Sequence, residues 1–473
     1  MTGGVVAAVD LGATSGRVMI GRVGDGVLEL EQVARFPNGP VADADGSLHW
    51  DFSALRGHIV AGLREALRRE PGIASIGIDS WAVDYGVIEG GELRGEPFHY
   101  RDERTTAGVE AVHAQVPFDE LYRRNGLQFL PFNTLYQLAV ERGLDTADGV
   151  LLIPDLVAWL LTGAVAAERT NASTTGLLDV STGAWDADLA QRLGIRTDLL
   201  PPLVDPGAAL GTTRTDGHDG VGAEVPVIAV GSHDTASAVV AVPMSDAATA
   251  AYISCGTWGL VGVELDEPVV TDAAREANFT NEGGVDGRIR FLHNVTGLWL
   301  LSESVRAWEA ESGETIDLPA LLAEAAAVEG DIAVFDANDE SLSAPGDMPA
   351  RIAALLRRDG KPVPETRAGF ARVIVESIAA AFADAVATAA SLSERTLEVV
   401  HVVGGGSLNR LLCQSTADRT GLPVLAGPVE ATALGNVLVQ ARAHGWFGEH
   451  ATLETLRAAV RASVDLQRFE PRS

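Results

Sequence analysis

The chain has 473 residues, 47% hydrophobic and 21% charged, a globular composition at a length where one core gives way to two domains. Its formal net charge of -30 argues against polyanionic partners, so neither nucleic acid nor an anionic membrane surface is expected. The same field repels a free nucleotide, so a nucleotide site here must rely on backbone N–H groups, a few placed cations and a metal ion.

Two cysteines, Cys255 and Cys413, give neither a disulfide framework nor a zinc spacing, and they suit a reducing cytoplasm. The opening Met1-Thr2-Gly3-Gly4 lacks the cationic start and cleavage site of a signal peptide. The most apolar long stretch, 373–392, is broken by Glu376 and Asp384, which predicts a buried or amphipathic helix rather than a membrane span.

In chain order, 5–10 and 17–23 read as strands around the turn Gly12-Ala13-Thr14-Ser15-Gly16, and 28–36 as a third strand. Leu55, Ile59, Leu63 and Leu67 set a helical period over 52–69. A strand over 73–79 and a hairpin over 83–93, turning at Glu89-Gly90-Gly91, follow. The order strand, strand, strand, helix differs from a dinucleotide-binding unit, where a helix follows the first glycine turn directly. The segment 151–161 reads as a helix ending at Gly163, and 225–230 as a strand leading into Gly231-Ser232-His233-Asp234. A domain boundary is expected near Pro243–Asp246: an N-terminal domain over 1–243, a C-terminal domain over 244–440 and a tail over 441–473. Beyond the boundary, the strand 249–254, the turn Cys255-Gly256-Thr257 and the strand 259–264 echo the head of the chain, which suggests duplication. A helix over about 368–392, a strand over 399–403, the turn Gly404-Gly405-Gly406 and a helix from about Asn409 complete the pattern.

Six segments offer chemistry, each beside a purely structural alternative. Gly12, Ala13, Thr14, Ser15, Gly16 and Arg17 could turn N–H groups, hydroxyls and a cation toward phosphates, with Asp10 holding hydrated Mg²⁺, or could form an ordinary hairpin turn. Gly256 and Thr257 could clamp a phosphate chain or close a tight hairpin. In Ser232-His233-Asp234-Thr235, Asp234 could accept the proton of a sugar hydroxyl or serve as a helix N-cap. His233 reads as a hydrogen-bonding neighbour. Gly404 and Gly405 leave a flat surface for an adenine ring, or a helix-entry loop, and Asn409 could meet base or ribose or cap the next helix. Trp81 could face a sugar or sit in the core of its hairpin. Asn294 could bind sugar or be a turn residue at a helix start.

The order of these segments resembles the FGGY carbohydrate kinases of the actin/hexokinase/Hsp70 superfamily. So do the runs Val9–Met19, Gln128–Leu138, Ser232–Val239, Thr280–Gly284 and Gly427–Ala431, and the likeness spans about residues 5–440. The resemblance implies an α/β fold of two actin-like (ribonuclease H-like) domains with a ligand cleft between them. It also implies ATP and Mg²⁺ as cofactors and a small-molecule ketose as substrate, foremost L-rhamnulose phosphorylated at O1, with L-fuculose or xylulose as alternatives. Carried over position by position, Ala13–Arg17 and Thr257 would bind ATP, the triple glycine would touch the nucleotide, Asp234 would be the proton acceptor, and His233, Thr235 and Asn294 would meet the sugar. Two positions depart from the pattern: Ala82 stands where glycine is expected beside the sugar, and Ser302 where glutamine is expected beside the nucleotide. From another class, an actin-like ATP-binding regulator remains. No basic helix-turn-helix precedes Val5, and about thirty residues follow the last expected domain.

Overall fold

A computed structural model describes residues 3–24, 26–343 and 346–472, so Met1 and Thr2 of the opening segment lie outside the described residues. Two compact units divide the chain. Met1–Ser245, Glu264–Phe291 and Ala431–Ser463 form the first, and Asp246–Val263, Leu292–Glu430 and Val464–Ser473 the second. Residues 441–463 of the expected tail therefore belong to the first unit and 464–473 to the second.

In the first unit a six-stranded sheet runs in the order Ala209–Thr212, Pro226–Ile228, Ile73–Ser80, Gly4–Leu11, Ser15–Gly24, Val27–Pro37. Gly4–Leu11 is central, and its residues Val6, Ala7, Ala8, Val9 and Leu11 are fully buried, as expected of a strand covered on both faces. It pairs antiparallel with Ser15–Gly24 and parallel with Ile73–Ser80, so Asp10 stands between Arg17 on one side and Asp79 on the other.

The helix Phe52–Arg69 buries Leu55, Ile59, Leu63 and Ala66, the stripe that its sequence period predicts. Asp51 caps it by accepting from Ala54 N at 2.9 Å, and Arg68 and Arg69 close its last turn, where the helix dipole favours cations.

Two boundaries differ from the sequence reading. The hairpin strand begins at Tyr85 rather than Val83, because Val83 takes a left-handed backbone, φ 68°, and turns the chain. Leu151 and Leu152 are not helical. They end the strand Gly149–Leu152, whose pairing with Tyr85–Glu89 aligns Leu152 with Tyr85. The helix starts at Ile153, with Pro154 in its first turn, and stops at Gly163.

Two late helices complete the first unit. Ala431–Ala443 lies against Asp234–Val240 so closely that a Cβ on Gly435 would collide with the Ser237 carbonyl. Arg457, on the helix Leu453–Ser463, is buried and donates to both oxygens of the buried Glu264, at 2.9 and 2.7 Å, and to Val239 O at 3.2 Å.

The second unit repeats the central motif. Ala250–Cys255 pairs antiparallel with Trp258–Leu265 and parallel with Val399–Val403, the same two kinds of neighbour that Gly4–Leu11 has. Val424–Ala426 joins parallel and Gln467–Phe469 antiparallel beyond it. The helix Arg367–Leu392 is long and apolar enough to cross a membrane by length and composition alone. Its Ile374, Val375, Ile378 and Phe382 are buried within the unit instead, and Glu376 is held by Arg372 at 3.0 Å, Arg419 at 2.8 Å and Ser415 at 2.8 Å.

Candidate active site

The turn between the first two strands is closed by Gly12 N donating to Ser15 O at 3.0 Å and braced by Asn38, whose Nδ2 donates to Gly12 O at 2.8 Å. Among the described residues the N–H groups of Ala13 and Thr14 donate to no acceptor, and Thr14 is exposed. Free amides on a tight turn are what an anion needs. Arg17 adds a cation and pairs with Asp10 at 2.7 Å.

Behind this turn three carboxyl groups converge. Burial raises Asp79 well above the ordinary carboxylate range, and the charges of Asp10 and Asp234 push it further; the Asn436 hydrogen bond at 2.6 Å and Arg17 oppose the shift. Asp79 Oδ1 is buried without a hydrogen-bond partner. Among the described residues, no group of three or more His, Cys, Asp or Glu side chains could hold a metal by itself. Mg²⁺ asks for less: one or two carboxylates, water and phosphate oxygens. A cluster with more carboxyl oxygens than Arg17 alone can neutralise supplies hard donors of that kind, so Asp10 and its neighbours fit Mg²⁺.

Asp234 opens the helix Asp234–Val240, but His233 occupies the cap position and no side chain caps the helix. The N-cap alternative for Asp234 is thereby removed. Its Oδ1 accepts from Thr235 Oγ1 at 3.1 Å and faces His233 Nε2 at 3.4 Å, while no hydrogen bond from the described residues reaches Oδ2. The side chain is 31% exposed, so a substrate hydroxyl can approach the remaining oxygen.

The far side of His233 meets Arg290 and Glu282. Arg290 Nη2 lies 2.9 Å from His233 Nδ1 and 3.1 Å from Glu282 Oε2, and Arg290 Nε donates to Gly283 O at 2.9 Å. All three side chains are buried. Burial would raise the Glu282 carboxyl, but the Arg290 charge and His233 contacts outweigh it and hold it below its ordinary value. The loop before His233 is pinned by buried Glu168, which accepts from Ser232 N at 2.9 Å and Ser232 Oγ at 2.8 Å.

Trp81 is a core residue. It packs against Trp50 with the rings tilted by 35° and their centroids 4.1 Å apart, and its Nε1 donates to Asp84 Oδ2 at 3.1 Å. Asp84 also accepts from Trp50 Nε1 at 2.7 Å, Gln137 Nε2 at 2.9 Å and Tyr100 N at 3.2 Å. Burial raises Asp84 to about 6 despite these donors. Ala82, next to Trp81, is half-buried against the same core.

The second unit gathers its own candidates. Gly256 N donates to Trp258 O at 2.8 Å, closing a turn in which Thr257 N–H has no acceptor among the described residues. Leu298 N and Trp299 N donate back to Gly256 O and Thr257 O at 3.1 Å, which ties that turn to the helix Trp299–Ser312; Ser302 is exposed one turn along it. The triple glycine lies beside Cys255: a Cβ on Gly404 would come within 2.9 Å of Cys255 O, and one on Gly406 would collide with its Sγ. Gly405 faces open space, so the flat exposed surface is there. Asn409 caps the helix Arg410–Thr420, accepting from Leu412 N at 3.1 Å, while its Nδ2 is buried without a partner. Asn294 is no turn residue at a helix start: it lies half-buried inside the strand Ile289–Thr296, four residues before the helix entry at Leu298.

Glu168, Arg290 and Asn436 lie outside every segment that the sequence singles out. Glu282 falls in the run Thr280–Gly284, which entered through resemblance with no role attached, and Asp79 falls in the segment 78–85, which the sequence offers as a sugar contact rather than as part of a buried carboxyl cluster.

The model of the FGGY family of carbohydrate kinases, N-terminal domain, matches residues 5–241, and that of the C-terminal domain matches residues 251–444. The chain is 41% identical over 472 residues to a rhamnulokinase of Bacteroides thetaiotaomicron, covering 98% of this chain and 95% of the relative. It is also 41% identical to a rhamnulokinase of Klebsiella pneumoniae, covering 98% and 94%. Among solved structures, a ligand-bound xylulose kinase from Lactobacillus acidophilus shares the fold with a TM-score of 0.78 at 16% identity, covering 99% of this chain and 94% of that one. A Plasmodium falciparum glycerol kinase with ADP has the same TM-score, identity and coverage. With both halves of one family model matched in order along nearly its whole length, the chain belongs to the FGGY family of carbohydrate kinases.

Proposed function

We propose that the protein phosphorylates L-rhamnulose at O1 with ATP, giving L-rhamnulose 1-phosphate and ADP, in the cytoplasm as a step of L-rhamnose breakdown. The observation that carries the chemistry is Asp234: a partly exposed carboxylate with one oxygen held by Thr235 and the other free, not spent on capping its helix. The choice of ketose is supported by near-full-length identity to proteins named rhamnulokinase.

Phosphoryl transfer asks a protein mainly for positioning and charge stabilisation. Asp234 Oδ2 accepts the O1 proton as the new O–P bond forms and the bond from the γ-phosphorus to the β–γ bridging oxygen breaks. In the first unit His233, Thr235 and Ala82 are the sugar contacts, Trp81 backing them from the core, and in the second unit Asn294 is the sugar contact. Ala13, Thr14, Ser15, Gly16 and Arg17 are the phosphate contacts of the first unit; the second unit has phosphate contacts of its own in Gly256 and Thr257. Gly404, Gly405, Asn409 and Ser302 form the nucleoside side. Bound Mg²⁺, held near Asp10 with water, would neutralise phosphate charge.

Coupled detection of ADP across a ketose panel tests the reading. L-Rhamnulose should give the highest kcat/KM, and ³¹P NMR of its product should show a 1-phosphate ester. A higher kcat/KM for L-fuculose or xylulose would reassign the substrate. ATP turnover indifferent to every sugar would point to an actin-like regulator.

A further inference from the structure

We propose that Arg290 is a positioning residue for the proton acceptor, fixing His233 in the neutral tautomer that carries its proton on Nε2 and turns it toward Asp234. The inference rests on the reading of Asp234 as base and deepens it.

The argument turns on one contact. A guanidinium only donates and does not lose its proton in proteins. Arg290 Nη2 stands 2.9 Å from His233 Nδ1, so Nδ1 must present its lone pair. The ring proton is then on Nε2, which faces Asp234 Oδ1 at 3.4 Å. The competing arrangement puts the proton on Nδ1 and points it at Glu282 Oε2, 3.3 Å away. That arrangement would force an N–H against the closer guanidinium, so Arg290 decides between the two.

Glu282 completes the device. Its carboxylate, 3.1 Å from Arg290 Nη2, balances a guanidinium whose residue is 0% exposed. Arg290 Nε is held by Gly283 O, so the planar group cannot rotate without losing a second bond. In the chain Glu282, Arg290, His233, Asp234 each member orients the next, as outer partners do for catalytic imidazoles elsewhere.

Two measurements on the full chain decide it. Long-range ¹H–¹⁵N correlation spectra of protein with labelled histidine, the His233 signal being identified by its loss in His233→Gln, should show a neutral ring protonated on Nε2. Proton on Nδ1 overturns the proposal. In kinetics, Arg290→Gln should lower kcat about ten- to a hundredfold while KM for ATP stays within about twofold, since misplacement of a reacting group costs rate rather than nucleotide binding. Arg290→Lys, which keeps a donor and a charge, should recover part of the loss. Unchanged kcat in folded Arg290→Gln also overturns it. Should that variant fail to fold, the spectrum of the parent and the kinetics of Arg290→Lys still decide. A parent protein inactive on every ketose would refute the proposed function while leaving the tautomer measurement intact.

Discussion

Asn436 Nδ2 lies 2.6 Å from Asp79 Oδ2, joining two residues 357 positions apart inside one buried core. The contact continues as a ladder: Gln440 Nε2 donates to Asn436 Oδ1 at 2.7 Å and to Ala7 O at 3.0 Å, and Ser75 Oγ donates to Gln440 Oε1 at 2.7 Å. Asn436→Leu leaves Asp79 with no hydrogen bond from a side chain. A buried acceptor stripped of its donor costs about 1–3 kcal/mol. Asp79 is already raised in the folded state, chiefly by burial, so its contribution to stability is full below the ordinary carboxylate range and is lost as pH rises through its folded value. Removing Asn436 raises it further. Thermal melts should therefore show a larger deficit for Asn436→Leu at about pH 8 than at about pH 5; an equal deficit at both would contradict this account.

Asp84 gives a second pH signature, with a midpoint of its own. Burial lifts it to about 6, so the protein binds a proton there that the unfolded chain has released above about pH 4. Stability from this group is complete below pH 4 and disappears as pH rises through about 6, a span worth on the order of 3 kcal/mol. In Asp84→Asn that slope is absent. The melting temperature of the variant, measured relative to the parent, should rise between about pH 4.5 and about pH 7. A constant difference across that interval would show that Asp84 titrates normally.

Arg457 and Glu264 make a buried pair whose members depend on each other. Arg457→Ala strands Glu264 in the core and should cost about 3–5 kcal/mol, whereas Arg457→Met with Glu264→Leu should recover most of it. Calorimetry of the single and double variants checks both numbers. A single variant as stable as the parent would mean that water reaches Glu264.

Asp234→Asn keeps the size and the Thr235 contact but removes the proton acceptor. Turnover should fall by about 10²–10⁴-fold, the usual worth of a placed base, with ATP affinity by calorimetry unchanged. Near-parental turnover would remove Asp234 from the chemistry.

Much of the fold was legible because its signals are local. Apolar runs and glycine turns gave both hairpins, and the period of Leu55, Ile59, Leu63 and Leu67 gave the helix Phe52–Arg69 to the residue. Asp234 stood out because its type and place after a strand are unusual together. What escaped reading depends on distance in sequence. Nothing near residue 79 announces Asn436, and nothing near 233 announces Arg290. Leu151 and Leu152 were misread because a short apolar run fits helix or strand alike until its partner strand is known. Asn294 was ambiguous because asparagine is common in turns, while its strand is defined only by pairing.

The close backbone approach at Gly435 has a bearing on how the protein is made. The helix that carries Asp234 is completed by a segment translated some two hundred residues later, and the ladder at Asp79 waits for the same segment. A ribosome releases the chain from its N-terminus, so the first unit stays unfinished until 431–463 emerge, with buried polar groups of its core open to water for most of synthesis. Residues 1–245 expressed alone should thus be a chaperone substrate rather than a folded domain, and adding 431–463 in trans should be needed to rescue them.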